Sequence, residues 1–373
     1  MKIEIFQMER MQSTWENVVE FDLSESGVYP VSIRELMEMG FDLDWALDTP
    51  LTYSQGNGTP ELREALGEIY PGASIEQIEV TNGTSEANFM VALSLLEDGD
   101  EFALEVPNYM QLWGVPRAFG AQVNRFSLRA DAGWEPDWQE FESAVNPRTR
   151  LVYVSNPNNP TGSVLSRASM ERIVRRCEEV DAYLIADEVY LGAEIHRERT
   201  PSFWGLSDRV IVTSGLSKAY GIPGVRIGWI VGPEAIVSEC WTQHDSITIC
   251  PNKLSDAIAR VAVQPENRSR LYSRGRELLQ GNLEIMQDWI SGLGEGFAFT
   301  PPVAGAICFV RYPGDLPSAE LCQRILDRRD TLIVPGAYLG MEGYIRVWMG
   351  AQPDYLRAGL ERIETELRAA LSQ

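Results

Sequence analysis

The sequence predicts an α/β protein: a large domain on a mostly parallel sheet covered by helices, with a smaller α+β domain attached. Three observations predict it. Strand-like and helical runs alternate from about residue 60 onward. The strand-like runs are apolar on both sides, as strands covered by helices on each face must be. Beyond about residue 290 the rhythm changes to short strands with helices between them. A chain of 373 residues also exceeds what one small core supports.

In chain order, helices are expected over residues 60–70, 85–96, 138–145 and 167–180. Short apolar runs mark strands over 101–106, 122–128, 150–155, 183–187, 209–214 and 226–231. A long helix follows over about 266–290. The tail reads as a strand at 306–312, a helix near 318–328, strands at 331–334 and 344–349, and a closing helix from residue 353. The large domain is expected over 41–275, and the small domain over 1–40 together with 276–373. There are no internal repeats or low-complexity tracts.

Hydrophobic content of 44% and charged content of 23% are ordinary for a globular protein. The net charge of −22 argues against nucleic acid or an anionic membrane as a partner, since both need a basic face. No apolar run is long enough to span a bilayer, and the amino terminus lacks a secretory pattern. Five scattered cysteines without metal-ligand spacing fit reduced thiols, so a cytoplasmic location and no metal site are expected. Only His196 and His244 are present, which makes a serine–histidine or histidine-rich site improbable. The charged stretch from Ile195 through Arg197, Glu198 and Arg199 reads as a solvated loop.

In parallel sheets, chemistry gathers beyond the carboxyl ends of the strands. Three successive expected strands end in polar loops: Asn156-Pro157-Asn158-Asn159-Pro160-Thr161-Gly162, then Asp187-Glu188-Val189-Tyr190, then Ser214-Gly215-Leu216-Ser217-Lys218. The lysine is rare here. Lys2, Lys218 and Lys253 are the three lysines among 32 basic residues, leaving 29 arginines. Arginine stays protonated and cannot form a carbonyl imine, whereas a lysine amine can. Local readings remain open for each motif. An aspartate at a strand end is also a cap, and a Pro-Asn-Asn-Pro turn needs asparagine for its own geometry. Asn82-Gly83-Thr84-Ser85-Glu86 is equally a helix cap without ligand.

Together these segments resemble class I/II aminotransferases of the fold-type-I pyridoxal-phosphate enzymes. Tyr53-Ser54-Gln55-Gly56-Asn57-Gly58, Ser217-Lys218 with Arg226 eight positions on, and Tyr344-Ile345-Arg346-Val347 carry the same resemblance, from about residue 22 to the end. It implies a seven-stranded-type sheet and pyridoxal 5'-phosphate as cofactor. It implies that Lys218 forms an imine with the cofactor and moves the substrate α-proton, a task for an amine of lowered pKa. Asp187 would pair with the ring nitrogen, Asn159 and Tyr190 would bond the ring oxygen, and Tyr109 would stack on the ring. Gly83, Thr84, Ser85, Ser217 and Arg226 would hold the phosphate. Many relatives have a hydroxyl residue at the position of Gly215; either one hydroxyl is missing, or Ser214 reaches the phosphate through a shifted loop. Tyr53 would cross to the phosphate of a neighbouring subunit, making a homodimer with shared sites. Arg346 would clamp the α-carboxylate, with Asn159 and Gly27 near the substrate. Val28, Tyr29 and Lys253 are weaker candidates for the substrate pocket.

The resemblance implies a ping-pong transaminase acting on an amino acid and a 2-oxo acid. The stretches Asp22–Val28 and Leu216–Gly224 also resemble capreomycidine-synthase-like enzymes, so elimination and cyclisation on the same cofactor is the alternative. A regulator built on this fold would carry a DNA-binding domain, and nothing in the sequence resembles one.

Overall fold

A computed structural model describes residues 2–196 and 199–371. Arg197 and Glu198, within the expected solvated loop, lie outside the described residues; His196 beside them is exposed. The large sheet has the order 78–81, 228–231, 210–215, 183–187, 149–155, 101–106, 122–129, with a two-residue strand, Glu135–Pro136, at the far edge. Strands Val210–Gly215, Tyr183–Asp187, Thr149–Ser155, Glu101–Val106 and Gln122–Arg129 are mutually parallel. Gly228–Val231 runs antiparallel to Val210–Gly215, and Ile78–Thr81 antiparallel to Gly228–Val231. Ile78–Thr81 therefore points the same way as the parallel set, and its carboxyl end opens on the same edge.

Both faces of the sheet are buried. Val152, Val154, Leu184, Ala186 and Val212 pack into one core, with Leu62, Ile173 and Ala259 from the covering helices. Their strand neighbours Leu151, Tyr153, Ile185 and Ile211 pack into another, with Met90 and Val91 of helix Thr84–Leu95. Alternate residues feed opposite faces because successive strand side chains point to opposite sides. That is the pattern the two-sided apolar runs anticipate.

The second unit is a four-stranded antiparallel sheet, 298–299, 307–311, 344–348, 334–335, backed by helices Ser318–Arg329 and Pro353–Leu371. Phe21–Asp22 pairs in parallel with Thr331–Leu332, and Leu23 lies in this core beside Val347 and Leu360. The helix Pro265–Leu293 links the units: Leu271 packs into the large core, and Leu279 to Leu293 into the small one.

Several elements differ from expectation. The strand expected over 226–231 begins at Gly228, because Arg226 has φ +53° after a short 3-10 turn at Pro223–Val225. Strand Ile78–Thr81 and helices Gln7–Trp15, Gln111–Ala118 and Glu234–His244 have no counterpart in the sequence reading. Helix Gln7–Trp15 matters most. Met8 and Met11 pin it to a cluster with Tyr109, Trp134, Phe309 and Tyr344, and Gln12 Nε2 donates to Ser24 O at 2.7 Å. Among the described residues, no helix is long and apolar enough to cross a membrane.

Candidate active site

A cavity of about 450 Å³ lies beyond the carboxyl edge of the large sheet. Thr84, Ser85, Tyr109, Asn159, Asp187, Tyr190, Ser217, Lys218 and Arg226 all line it, delivered by strand ends, loops and a helix start at that edge. Helix Gln7–Trp15 and the 25–26 segment close the other side through Met8, Glu9, Gln12, Glu16, Glu25 and Ser26.

Asp187 ends its strand and is 5% exposed. Its Oδ2 accepts from Asn88 Nδ2 at 2.9 Å and Tyr153 Oη at 3.0 Å, and its Oδ1 from Val189 N at 3.1 Å. Burial raises its pKa, and these donors pull against that rise. The donors also fix the carboxylate in one orientation. Asn88 is held in turn by Thr213, whose Oγ1 donates to Asn88 Oδ1 at 2.7 Å.

Within the 156–162 loop the asparagines divide the work. Asn156 Oδ1 accepts from Leu165 N, and Asn158 Oδ1 from Thr161 N and Oγ1, which are local turn duties. Asn159 is the one that lines the cavity, and its Oδ1 accepts from Arg346 Nη1 at 3.0 Å. Arg346 is 1% exposed, donates from Nη2 to Ser24 O, and leaves Nε without a partner. Tyr190 is 3% exposed, and burial raises its pKa. Tyr109 Oη donates to Glu9 Oε1 at 2.8 Å, with Ser85 Oγ at 3.5 Å.

Lys218 Nζ pairs with Glu25 Oε1 at 2.8 Å. Burial disfavours the ammonium, but Glu25 and Tyr190 outweigh it, and the pKa is raised. Sequence reasoning expects a lowered amine, and here the structure corrects it: the nearest charge is an anion that the sequence did not flag. Glu25 itself is held down at about 2; burial opposes this, and Lys218 with the backbone amides of Ser26 and Gly27 more than compensates. Gly27 makes the approach possible, because a Cβ there would lie 2.9 Å from Ser217 O and 3.4 Å from Lys218 Cα.

At the other end, Gly83 (φ +97°) opens the helix Thr84–Leu95, whose first amides lack intrahelical acceptors. A Cβ on Gly83 would sit 2.2 Å from Arg226 Nη2, and one on Gly228 would sit 2.4 Å from Thr84 N. Arg226 Nη1 donates to Ser217 Oγ at 3.3 Å. Gly215 is also explained: a Cβ there would meet Thr84 Oγ1 at 2.5 Å. Thr84 fills that space, whereas Ser214 Oγ is turned away and donates to Glu188 O.

Of the candidates, Gly27, Gly83 and Arg346 sit behind the lining residues rather than on the cavity surface, and Tyr53, Tyr29, Lys253 and Val28 do not line it either. Tyr53 is 82% exposed, and Tyr29 is 37% exposed. Lys253 opens the helix Lys253–Ala262 and donates to Pro50 O and Thr52 Oγ1, bracing the segment before Tyr53. Val28 is buried against Gly275 and Gly221.

The fold and this set of groups define a pyridoxal-phosphate enzyme, and residues 45–363 match the family of class I and II aminotransferases, to which the chain belongs. It is 30% identical to capreomycidine synthase of Streptomyces vinaceus, over 93% of this chain and 89% of that protein. It is 27% identical to an aspartate aminotransferase of Thermotoga maritima, over 85% of this chain and 84% of the relative. The crystal structure of a PLP-dependent aminotransferase from Streptococcus suis superposes with a TM-score of 0.91 at 30% identity, covering 99% of both chains.

The cofactor of this family is pyridoxal 5'-phosphate, and the cavity fits it. Thr84 Oγ1, on a residue only 8% exposed, has no hydrogen-bond partner. It lies at a helix amino terminus beside Arg226, as a phosphate site requires. The fixed carboxylate of Asp187 suits a protonated ring nitrogen.

Proposed function

We propose that the chain is an aminotransferase that moves the amino group of an L-amino acid to a 2-oxo acid in a ping-pong cycle. The observation that carries this reading is the convergence of Lys218, Asp187, Asn159 and the Arg346-bound wall on one cavity. Bound pyridoxal phosphate supplies a carbonyl electrophile and an electron-withdrawing ring. Lys218 Nζ is the group placed to take and return the α-proton, and Glu25 stabilises its protonated form. Asp187 keeps a cationic ring nitrogen charged. Arg346, buried behind Asn159, is the cation assigned to the α-carboxylate, and its Nε has no partner.

A second reading is elimination and cyclisation. The likeness to capreomycidine synthase supports it. A donor panel without acceptor separates the two. For a transaminase, the cofactor absorbance band is lost with a donor and returns when a 2-oxo acid is added. Irreversible product formation without any acceptor overturns transamination in favour of cyclisation.

The working form in this reading is a homodimer with shared sites. Leu47, Leu51, Tyr53 and Ile249 are each more than half exposed, an apolar surface suited to a second copy. Mixing Tyr53→Phe with Lys218→Ala subunits should change kinetics beyond dilution; simple dilution would remove the shared site. Five free cysteines, four of them buried, suit a reducing cytoplasm.

A further inference from the structure

Four carboxylates line the cavity, Glu9, Glu16, Glu25 and Asp187, against two cations, Lys218 and Arg226. Asp187 faces the ring end, and Glu25 is paired with Lys218. Arg226 belongs to the phosphate end, and Arg346 to the α-carboxylate. Glu9 and Glu16 are left over: among the described residues neither has an ion-pair partner, and Glu9 accepts only the neutral Tyr109 hydroxyl.

Their placement follows from helix geometry. Met8, Glu9, Gln12 and Glu16 lie within about 100° of arc around the axis at 3.6 residues per turn. All four line the cavity. Gln12 and Met8 are the buried anchors of that stripe, and Glu9 and Glu16 are exposed residues on the cavity wall. The buried, unpartnered Thr84 hydroxyl at the phosphate end marks the same cavity as a ligand site. The Glu16 carboxyl is raised in pKa, first by burial and then by repulsion from Asp22, Glu25 and Glu9. A wall of mutually repelling carboxylates is a poor surface for an acidic side chain and a good one for a cation.

We propose that the amino donor carries a cationic side chain, a guanidinium or an ammonium, received by Glu9 and Glu16 on the amino-terminal helix. This rests on the reading of the cavity as an amino-acid site of a pyridoxal-phosphate enzyme. The test is a spectral titration of the holoenzyme, without acceptor, using L-arginine, L-lysine, their neutral isosteres L-citrulline and L-norleucine, and L-glutamate.

The expected result is half-saturation for arginine or lysine at least about tenfold below its neutral isostere, the worth of a charge-assisted contact. Arginine against lysine then distinguishes guanidinium from ammonium. The preference should shrink in about 1 M salt, where screening length falls to about 3 Å. It should collapse toward a ratio of one in a Glu9→Gln, Glu16→Gln double variant. Equal affinity for charged donors and neutral isosteres, or a preference for glutamate, overturns the proposal while leaving the enzyme class intact. If no amino acid moves the band, the aminotransferase reading fails and takes this proposal with it.

Discussion

The cavity has two walls made in different ways. The sheet-edge wall is built from the ends of buried strands and the loops that follow them, and hydrogen bonding fixes its groups: Asp187 alone accepts three donors. The opposing wall is a nine-residue helix, Gln7–Trp15, held by a small apolar cluster and by Gln12. The first wall provides chemistry common to many substrates, and a rigid sheet is the right support for it. The second provides carboxylates without ion-pair partners among the described residues, on an element outside the sheet. In the proposed reading, the contrast assigns reaction class to the sheet-edge wall and substrate choice to the helical one.

Variants can break or sharpen that division. The largest effect is expected at the sheet edge. Asp187→Asn should retain cofactor but slow α-proton removal by about 10²- to 10³-fold, as loss of a preorganised charge does; unchanged single-turnover rates would take Asp187 out of that role. Arg346→Lys sits where the walls meet. It should raise KM about 10- to 100-fold by losing the planar fork, with the cofactor spectrum unaltered. Gln12→Ala loosens the helical wall by removing its bonds to Ser24 O and Oγ. A cost of about 1 kcal/mol is expected, visible as a several-fold KM increase and a small fall in Tm, without change in cofactor affinity.

The smallest effect concerns stability. Glu105 lies near the end of strand Glu101–Val106; its Oε1 accepts from Asn108, Asn158 and Ser155, and its Oε2 has no partner. Burial pushes its pKa to about 8, although those donors lower it. The folded state therefore keeps a proton that the unfolded chain loses near 4.5, so stability declines as pH rises from about 4.5 to 8. Glu105→Gln is neutral throughout and should flatten that decline in Tm-against-pH curves. An unaltered slope would show that Glu105 is ionised in the fold.

Legibility in the sequence followed the same division. Strands 101–106 and 183–187 form over the residues expected, and Lys218, Asp187 and Asn159 share one cavity, because strand-end loops are local in sequence. Strand Ile78–Thr81 was opaque because it buries Glu79, whose partner His244 lies 165 positions away. The helix Gln7–Trp15 has no side-chain cap and is exposed along most of its length, with Met8 and Gln12 its buried residues, so its pattern does not announce a wall. Glu25 looked like any acidic residue until the fold set it against Lys218 across 193 positions.

The most direct test is borohydride reduction of the cofactor-loaded protein followed by peptide mapping. The account predicts a bleached absorbance band and a phosphopyridoxyl label on Lys218, absent in Lys218→Ala. A label on Lys253 or Lys2, or a colourless protein after reconstitution, would contradict it.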